Sequence, residues 1–285
     1  MPNLKDIQRR IASVKKTQQI TRAMRMVAGA KLRRAQDTST AAKPYAEKMR
    51  ATLLEVGRVQ KDAEHPLLKA HEQVRRVEFI VVTSDRGLCG AYNNNTLKLA
   101  LQSISDREDE GCEVLITTAG KKARDFFRTR RPNRLGEHYA QDGWVTYGKA
   151  SEIGDLVSER FTNGEIDEAF LVYSEFISAM TQTPRADRLL PFTAEDDGSE
   201  SLAFEIEPNA TALLATLVPK AVDVEIYKAL LENQTGEHAA RMAAMESATR
   251  NTEELVDSLT LQFNRARQAA ITKELVEIVS GAEAL

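Results

Sequence analysis

The chain has 285 residues, 42% of them hydrophobic and 28% charged, with a formal net charge of −3, a balance that excludes a disordered or fibrous chain and fits one large or two smaller globular units. No stretch approaches the roughly 18 uncharged apolar residues of a membrane span, and the opening "MPNLKDIQRR" lacks the apolar core of a secretion signal, so the chain is expected to stay where it is made. Cys89 and Cys112 are too few for a disulfide framework and have no Cys or His neighbour at metal-binding spacing.

Residues 1–50 carry thirteen Lys or Arg against Asp6, Asp37 and Glu47, a local balance of +10. The cations are interleaved with apolar residues, as on the solvated face of a long helix that meets an acidic partner; nucleic acid or anionic lipid are the other readings of such an arm. Leu4, Ile7, Ile11 and Val14 recur at spacings of three and four and predict a coiled-coil seam, continued by Thr17, Ile20, Thr21, Met24 and Val27. This helix is expected to reach about Arg58. A linker, "DAEHPLLKAHEQ", follows it.

"VRRVEFIVVTSDRGLCG" then reads as a buried strand and its turn. A helix from about Asn93 to Ser105, a strand "EVLITT", helices "GKKARDFFRT" and "ASEIGDLVSERF", and a strand "EAFLVYSEFIS" succeed it. Strands alternating with helices imply a small, mostly parallel sheet covered on both faces. "TAEDDGSES" reads as an acidic loop. From Lys220 to about Ser280 a second long helix is predicted, with Leu255, Leu259, Phe263, Ala266, Ala270 and Leu275 as its seam. An upstream piece, "NATALLATLV", is expected to stack on its start, with Pro219 kinking or restarting the helix. Long helices take their stability from packing an amphipathic face, so the two are expected to pair antiparallel with the chain ends at one tip. The predicted fold is thus α/β plus coiled coil: helical segments 1–73 and 208–285 around a central Rossmann-like α/β domain, 74–207.

Candidate chemistry fails residue by residue. "DRGLCG" stands between a strand and a helix, the setting of a phosphate loop, but Gly87 and Gly90 alone do not make G-x-G-x-x-G. In "LITTAGKK" Leu115 replaces the first Walker glycine and Lys122 the Ser or Thr that holds magnesium. Asp85 beside a glycine turn reads as turn-forming. His65, His71, His138 and His238 lack metal spacing, and Cys89 reads as a small buried residue of the turn. No catalytic constellation emerges.

Five segments carry a resemblance. "ITKELVEIVSGAEAL" at 271–285 is similar to the C-terminal signature of the gamma subunits of F-type ATP synthases. "IASVKKTQQITRAMRMVAGAKLRRAQ", "SDRGLCGAYN", "FEIEP" at 204–208 and "GEHAARMAAMESAT" resemble the same family in order. The resemblance implies a central-stalk rotor with no active site and no cofactor of its own. Its partners would be a hexamer of alpha and beta subunits, the epsilon subunit and the membrane-embedded c-ring, with no nucleic acid. It would sit peripherally on the cytoplasmic face of a bacterial inner membrane, held there through the complex. Carried over by position, Met24, Arg267, Gln268, Thr272 and Glu274 would face the beta subunit, and Ile278, Gly281, Ala282 and Leu285 would form an apolar bearing tip. Ile271, Leu275 and Ile278 are also expected to pack in part on Ile7 and Ile11. The cysteine pair inserted in chloroplast relatives has no counterpart here. The rival readings are an α/β nucleotide-using enzyme with a coiled-coil arm and a nucleic-acid-binding coiled coil.

Overall fold

The computed structural model describes residues 4–59, 65–192 and 209–283. The predicted acidic loop at 193–201, the "FEIEP" segment and Leu285 lie outside them. The chain forms two compact units: one takes residues 1–29 with 241–285, the other residues 30–240.

The first unit is a helix pair contributed by α1 (Leu4–Val59) and α5 (Ala210–Glu283). The Thr21 and Thr249 hydroxyls meet at 2.9 Å, Arg25 pairs with Glu246, and a Cβ on Gly29 would touch Met242 Sδ at 3.4 Å. Each step up α1 is a step down α5, so the pair is antiparallel. The residues withdrawn from solvent recur at spacings of three and four: Leu4, Ile7, Ile11, Val14, Gln18, Thr21, Arg25 and Ala28 on α1, and Met245, Thr249, Thr252, Val256, Leu259, Phe263, Ala266 and Ala270 on α5. A strict seven-residue repeat keeps the same stripe facing the partner helix whatever its chemistry. This corrects the predicted seam beyond Val14. The repeat runs through Gln18, Thr21 and Arg25, while Ile20 and Val27 stand more than half exposed. On α5 it likewise bypasses Leu255.

The second unit holds a five-stranded sheet of order β3-β2-β1-β4-β5, from β1 (Arg76–Val82), β2 (Glu113–Ala119), β3 (Leu135–Tyr139), β4 (Glu168–Phe176) and β5 (Gln182–Leu190). All pairings are parallel except β4 with β5. Helices α2 (Tyr92–Asp109) and α3 (Lys121–Arg130) build one apolar layer, with Leu97, Ile104 and Phe127 in its core. The opposite layer gathers α4 (Tyr147–Thr162), the end of α1 and the first half of α5, around Ile153, Phe161, Ile226 and Leu230. Strands β3 and β5 were not predicted. The reading of α5 also changes: "NATALLATLV" joins the same helix, which runs through Pro219 without restarting. Val218, Ala221 and Val222, all within 2% of complete burial, supply packing that outweighs the hydrogen bond a proline removes.

Candidate functional site

In a doubly wound sheet a ligand sits beyond the strand ends where the order reverses; here that is between β1 and β4. The turn after β1 is shaped for close approach, with Leu88 at φ 63° and Gly90 at φ 60°. Asp85 caps the neighbouring loops, accepting from the backbone N–H of Lys121 at 2.8 Å and of Gln141 at 3.2 Å, the turn role its sequence context gave it. Cys89 is buried, and Asn93 Nδ2 lies 3.2 Å from its sulfur.

Helix α5 occupies this crevice. Asn233 donates to the Thr83 carbonyl at 3.3 Å, and the Tyr92 hydroxyl, at the start of α2, lies 3.0 Å from both the carbonyl and the side-chain oxygen of Asn233. Burial pushes the Tyr92 phenol well above its usual range. A Cβ on Gly236 would stand 2.9 Å from the Tyr92 ring, so this glycine, unfavourable in a helix by about 1 kcal/mol, is what lets the two elements close. The space of a nucleotide is filled by the chain's own helix.

Other buried polar groups lock elements together. Glu78, fully buried on β1, accepts from Thr117 at 2.6 Å and from Arg160 of α4 at 2.8 Å; burial pushes its carboxyl up despite both bonds. Asp167 meets His71 at 2.9 Å and accepts from the backbone N–H groups of Arg75 and Arg76 at 2.9 and 2.8 Å. Burial acts to raise its pKa, but these bonds prevail and hold it low. Asp223 accepts from Tyr147 and Ser151, both at 3.1 Å; burial and the Asp223 charge push the Tyr147 phenol up to about 12. His138 lies 3.0 Å from the Thr118 hydroxyl, and the His65 ring accepts from the Leu67 N–H at 3.2 Å. Among the described residues no group of His, Cys, Asp and Glu has the arrangement of a metal site.

The sequence-predicted contact residues lie on the helix pair. Arg267, Gln268, Thr272 and Glu274 are exposed on α5, and the Thr272 hydroxyl donates to the Gln268 carbonyl at 2.9 Å. Met24 is half-buried beside the α1 seam. The antiparallel register sets Ile7 level with residues near 264, so it corrects the expectation that Ile271, Leu275 and Ile278 pack on Ile7 and Ile11: they are 49, 57 and 68% exposed. The helix ends are offset, and the last turns of α5 run beyond Leu4. Ala282 is exposed there, and Gly281 continues the helix. Sequence reasoning missed the exposed apolar residues Ile20 and Val27; their place seven apart, one step off the strict heptad, was the available signal.

A five-stranded α/β sheet whose crevice is closed by its own helix, together with an antiparallel pair of long terminal helices, defines an α/β protein with a coiled-coil helix pair. Residues 3–285 match the family model described as ATP synthase. The chain is 46% identical over 293 residues to the ATP synthase gamma chain of Anaeromyxobacter sp. (strain Fw109-5) and 43% identical over 287 residues to that of Pelotomaculum thermopropionicum, each alignment covering all of both chains. In fold it resembles the rotor of Euglena gracilis mitochondrial ATP synthase in rotational state 1, with TM-score 0.64, 20% identity and coverage of 94% of this chain and 98% of that one. A central stalk from Tetrahymena thermophila gives TM-score 0.63 at 22% identity, covering 80% and 99%. This chain belongs to the ATP synthase family.

Proposed function

We propose that the chain is the central-stalk rotor subunit of an F-type ATP synthase, coupling ion-driven rotation of a membrane ring to conformational change at catalytic sites on other subunits. Its full-length match to gamma chains is the observation that carries this reading. The geometry agrees with it: the crevice is filled, and among the described residues no helix is long and apolar enough to cross a membrane. Membrane attachment then runs through the complex, at the cytoplasmic face of a bacterial inner membrane, with epsilon and the c-ring as neighbours of the α/β unit.

The helix pair is the shaft. Arg267 and Gln268, with Thr272 and Glu274 a turn further on, face a beta subunit in this reading; the guanidinium fork of Arg267 suits a carboxylate. Met24, with the exposed Ile20 and Val27, meets the beta subunit lower down. Ile278, Gly281, Ala282 and Leu285 form the apolar bearing within the collar of the hexamer, where small side chains give little to grip. A seam built on Thr21, Thr249 and Gln18 holds the helices together while apolar residues remain on the outside for a succession of partners.

The test is ATP hydrolysis by alpha and beta subunits of the same source, with and without the chain in the proportion of one per hexamer. Sustained turnover that requires the chain supports the rotor reading. Subunits that neither bind it nor respond to it overturn the reading.

A further inference from the structure

Two cavities adjoin on the 30–240 unit. The first, about 480 Å³, is a cleft between α1 and α5 lined by Tyr45, Tyr147 and Tyr227 together with small and aliphatic residues such as Ala42, Ala46 and Leu231. The Tyr147 and Tyr227 rings meet edge to face with centroids 5.9 Å apart. The second, about 530 Å³, borders β5 and is lined by Arg107, Arg185 and Arg188. Arg50, Glu225 and Lys228 line both, so an aromatic cleft and a cationic cavity share one wall.

That wall has unspent bonding capacity. Arg50 Nε is buried with no hydrogen-bond partner, and so is Oε2 of Glu232, a cleft residue only 8% exposed. Buried polar atoms without partners are costly and rare. Three of the six cations that line the two cavities are engaged: Arg107 with Glu168 at 2.7 Å, Arg185 with Glu175 at 3.0 Å, and Lys228 with Glu225 at 3.8 Å. Arg50 and Arg188 hold no ion pair among the described residues. A mostly apolar cleft with a few convergent polar groups has the make-up of a small-molecule site, and an arginine fork takes carboxylate or phosphate with two parallel bonds.

We propose that the joined cavities bind an amphipathic organic anion, its apolar body in the tyrosine-lined cleft and its single carboxylate or phosphate at Arg50 on the shared wall, within reach of Arg188. Glu225, Glu168 and Asp187 in the same walls oppose a polyphosphate and select a head group of low charge. Burial raises the Glu232 carboxyl, which lessens its repulsion of that head group. The site is built from residues of the 30–240 unit alone and is tested on the isolated chain, so its test is separate from that of the rotor reading.

The test is calorimetric titration of the full-length chain with dodecyl phosphate below its micelle concentration, with 2-naphthyl phosphate and with inorganic phosphate. Saturable one-to-one binding of either organic phosphate, far tighter than inorganic phosphate, is expected; the dodecyl ligand alone identifies an acyl body and the naphthyl ligand alone a flat ring. Arg188→Glu and Tyr45→Ala alter exposed residues, and each weakens binding roughly tenfold or more, as the loss of a charge-assisted bond or an aromatic wall implies. Circular dichroism checks that both variants stay folded. Absence of saturation, inorganic phosphate binding as well as the organic ligands, or undiminished binding in both variants overturns the proposal.

Discussion

Asn233 of α5 donates its side-chain N–H to the carbonyl of Thr83, the residue that follows β1, at 3.3 Å. One hydrogen bond thus stands where a doubly wound fold would hold its ligand, and Tyr92 closes over it. Tyr92→Phe leaves the Asn233 carbonyl with one bond fewer in a buried setting, at an expected cost of about 1–3 kcal/mol. Urea unfolding measures that loss. Equilibrium dialysis with ATP should show no nucleotide affinity gained by the variant, because the ring still fills the space; tight ATP binding would contradict the filled crevice.

Arg160 sits 2.8 Å from a carboxylate with no solvent exposure, that of Glu78. Arg160→Leu is expected to cost about 3–5 kcal/mol at pH 7, the usual result of stripping one partner from a buried pair. Burial already raises Glu78 above its ordinary value of 4.5. A folded state that holds its proton more tightly than the unfolded state loses stability as pH rises from that ordinary value through the folded pKa. Without Arg160 the folded pKa climbs further, so the window widens and the penalty shrinks toward pH 5. Equal penalties at pH 5 and pH 7 would show that Glu78 does not carry the effect.

Gly120 and Gly90 both have positive φ, 119° and 60°, yet a Cβ at Gly120 would lie 2.1 Å from the Thr83 carbonyl oxygen while one at Gly90 meets nothing within 4 Å. Gly90→Ala therefore bears only the left-handed backbone cost, about 1–2 kcal/mol. Gly120→Ala adds a backbone clash and should lose at least about 3 kcal/mol. Thermal unfolding of the two variants gives the ranking directly, and the reverse order would refute it.

Arg267→Ala, in the assembled complex, is expected to slow ATP hydrolysis roughly ten- to hundredfold without preventing assembly. One hydrogen bond to a charged group contributes roughly 1.5–3 kcal/mol, against the ~5.5 kcal/mol needed to swing a two-state partner from mostly open to mostly closed. Since the side chain is exposed, the isolated variant should unfold like the parent. Loss of assembly would mean that contacts on the shaft are not distributed.

Local pattern carried much of this. The heptads opening at Leu4 and centred on Leu259, the β-branched run of β1 and the strand-helix alternation named the elements because each buries one face at its own period. Strand β5 escaped notice because Pro184, Arg185, Asp187 and Arg188 make it look like a loop; an edge strand in an antiparallel pair can carry such residues, since one side of it has no neighbour to hydrogen-bond. In the same way β3 is short and half exposed, with Gly136, Glu137 and His138 at its centre.

By itself the sequence determined the long helices and the buried strands β1, β2 and β4, that the long terminal helices must pair, and, through segments such as "SDRGLCGAYN" and "ITKELVEIVSGAEAL", the family. Tertiary structure alone decided that the seam passes through Gln18, Thr21 and Arg25 instead of Ile20 and Val27, that α5 outruns α1, and that Asn233 and Gly236 close the crevice on Tyr92. The physical reason is one of range. Periodicity fixes which face of an element wants cover, whereas the identity of what covers it depends on register and on contacts between residues more than a hundred positions apart, which no local pattern encodes.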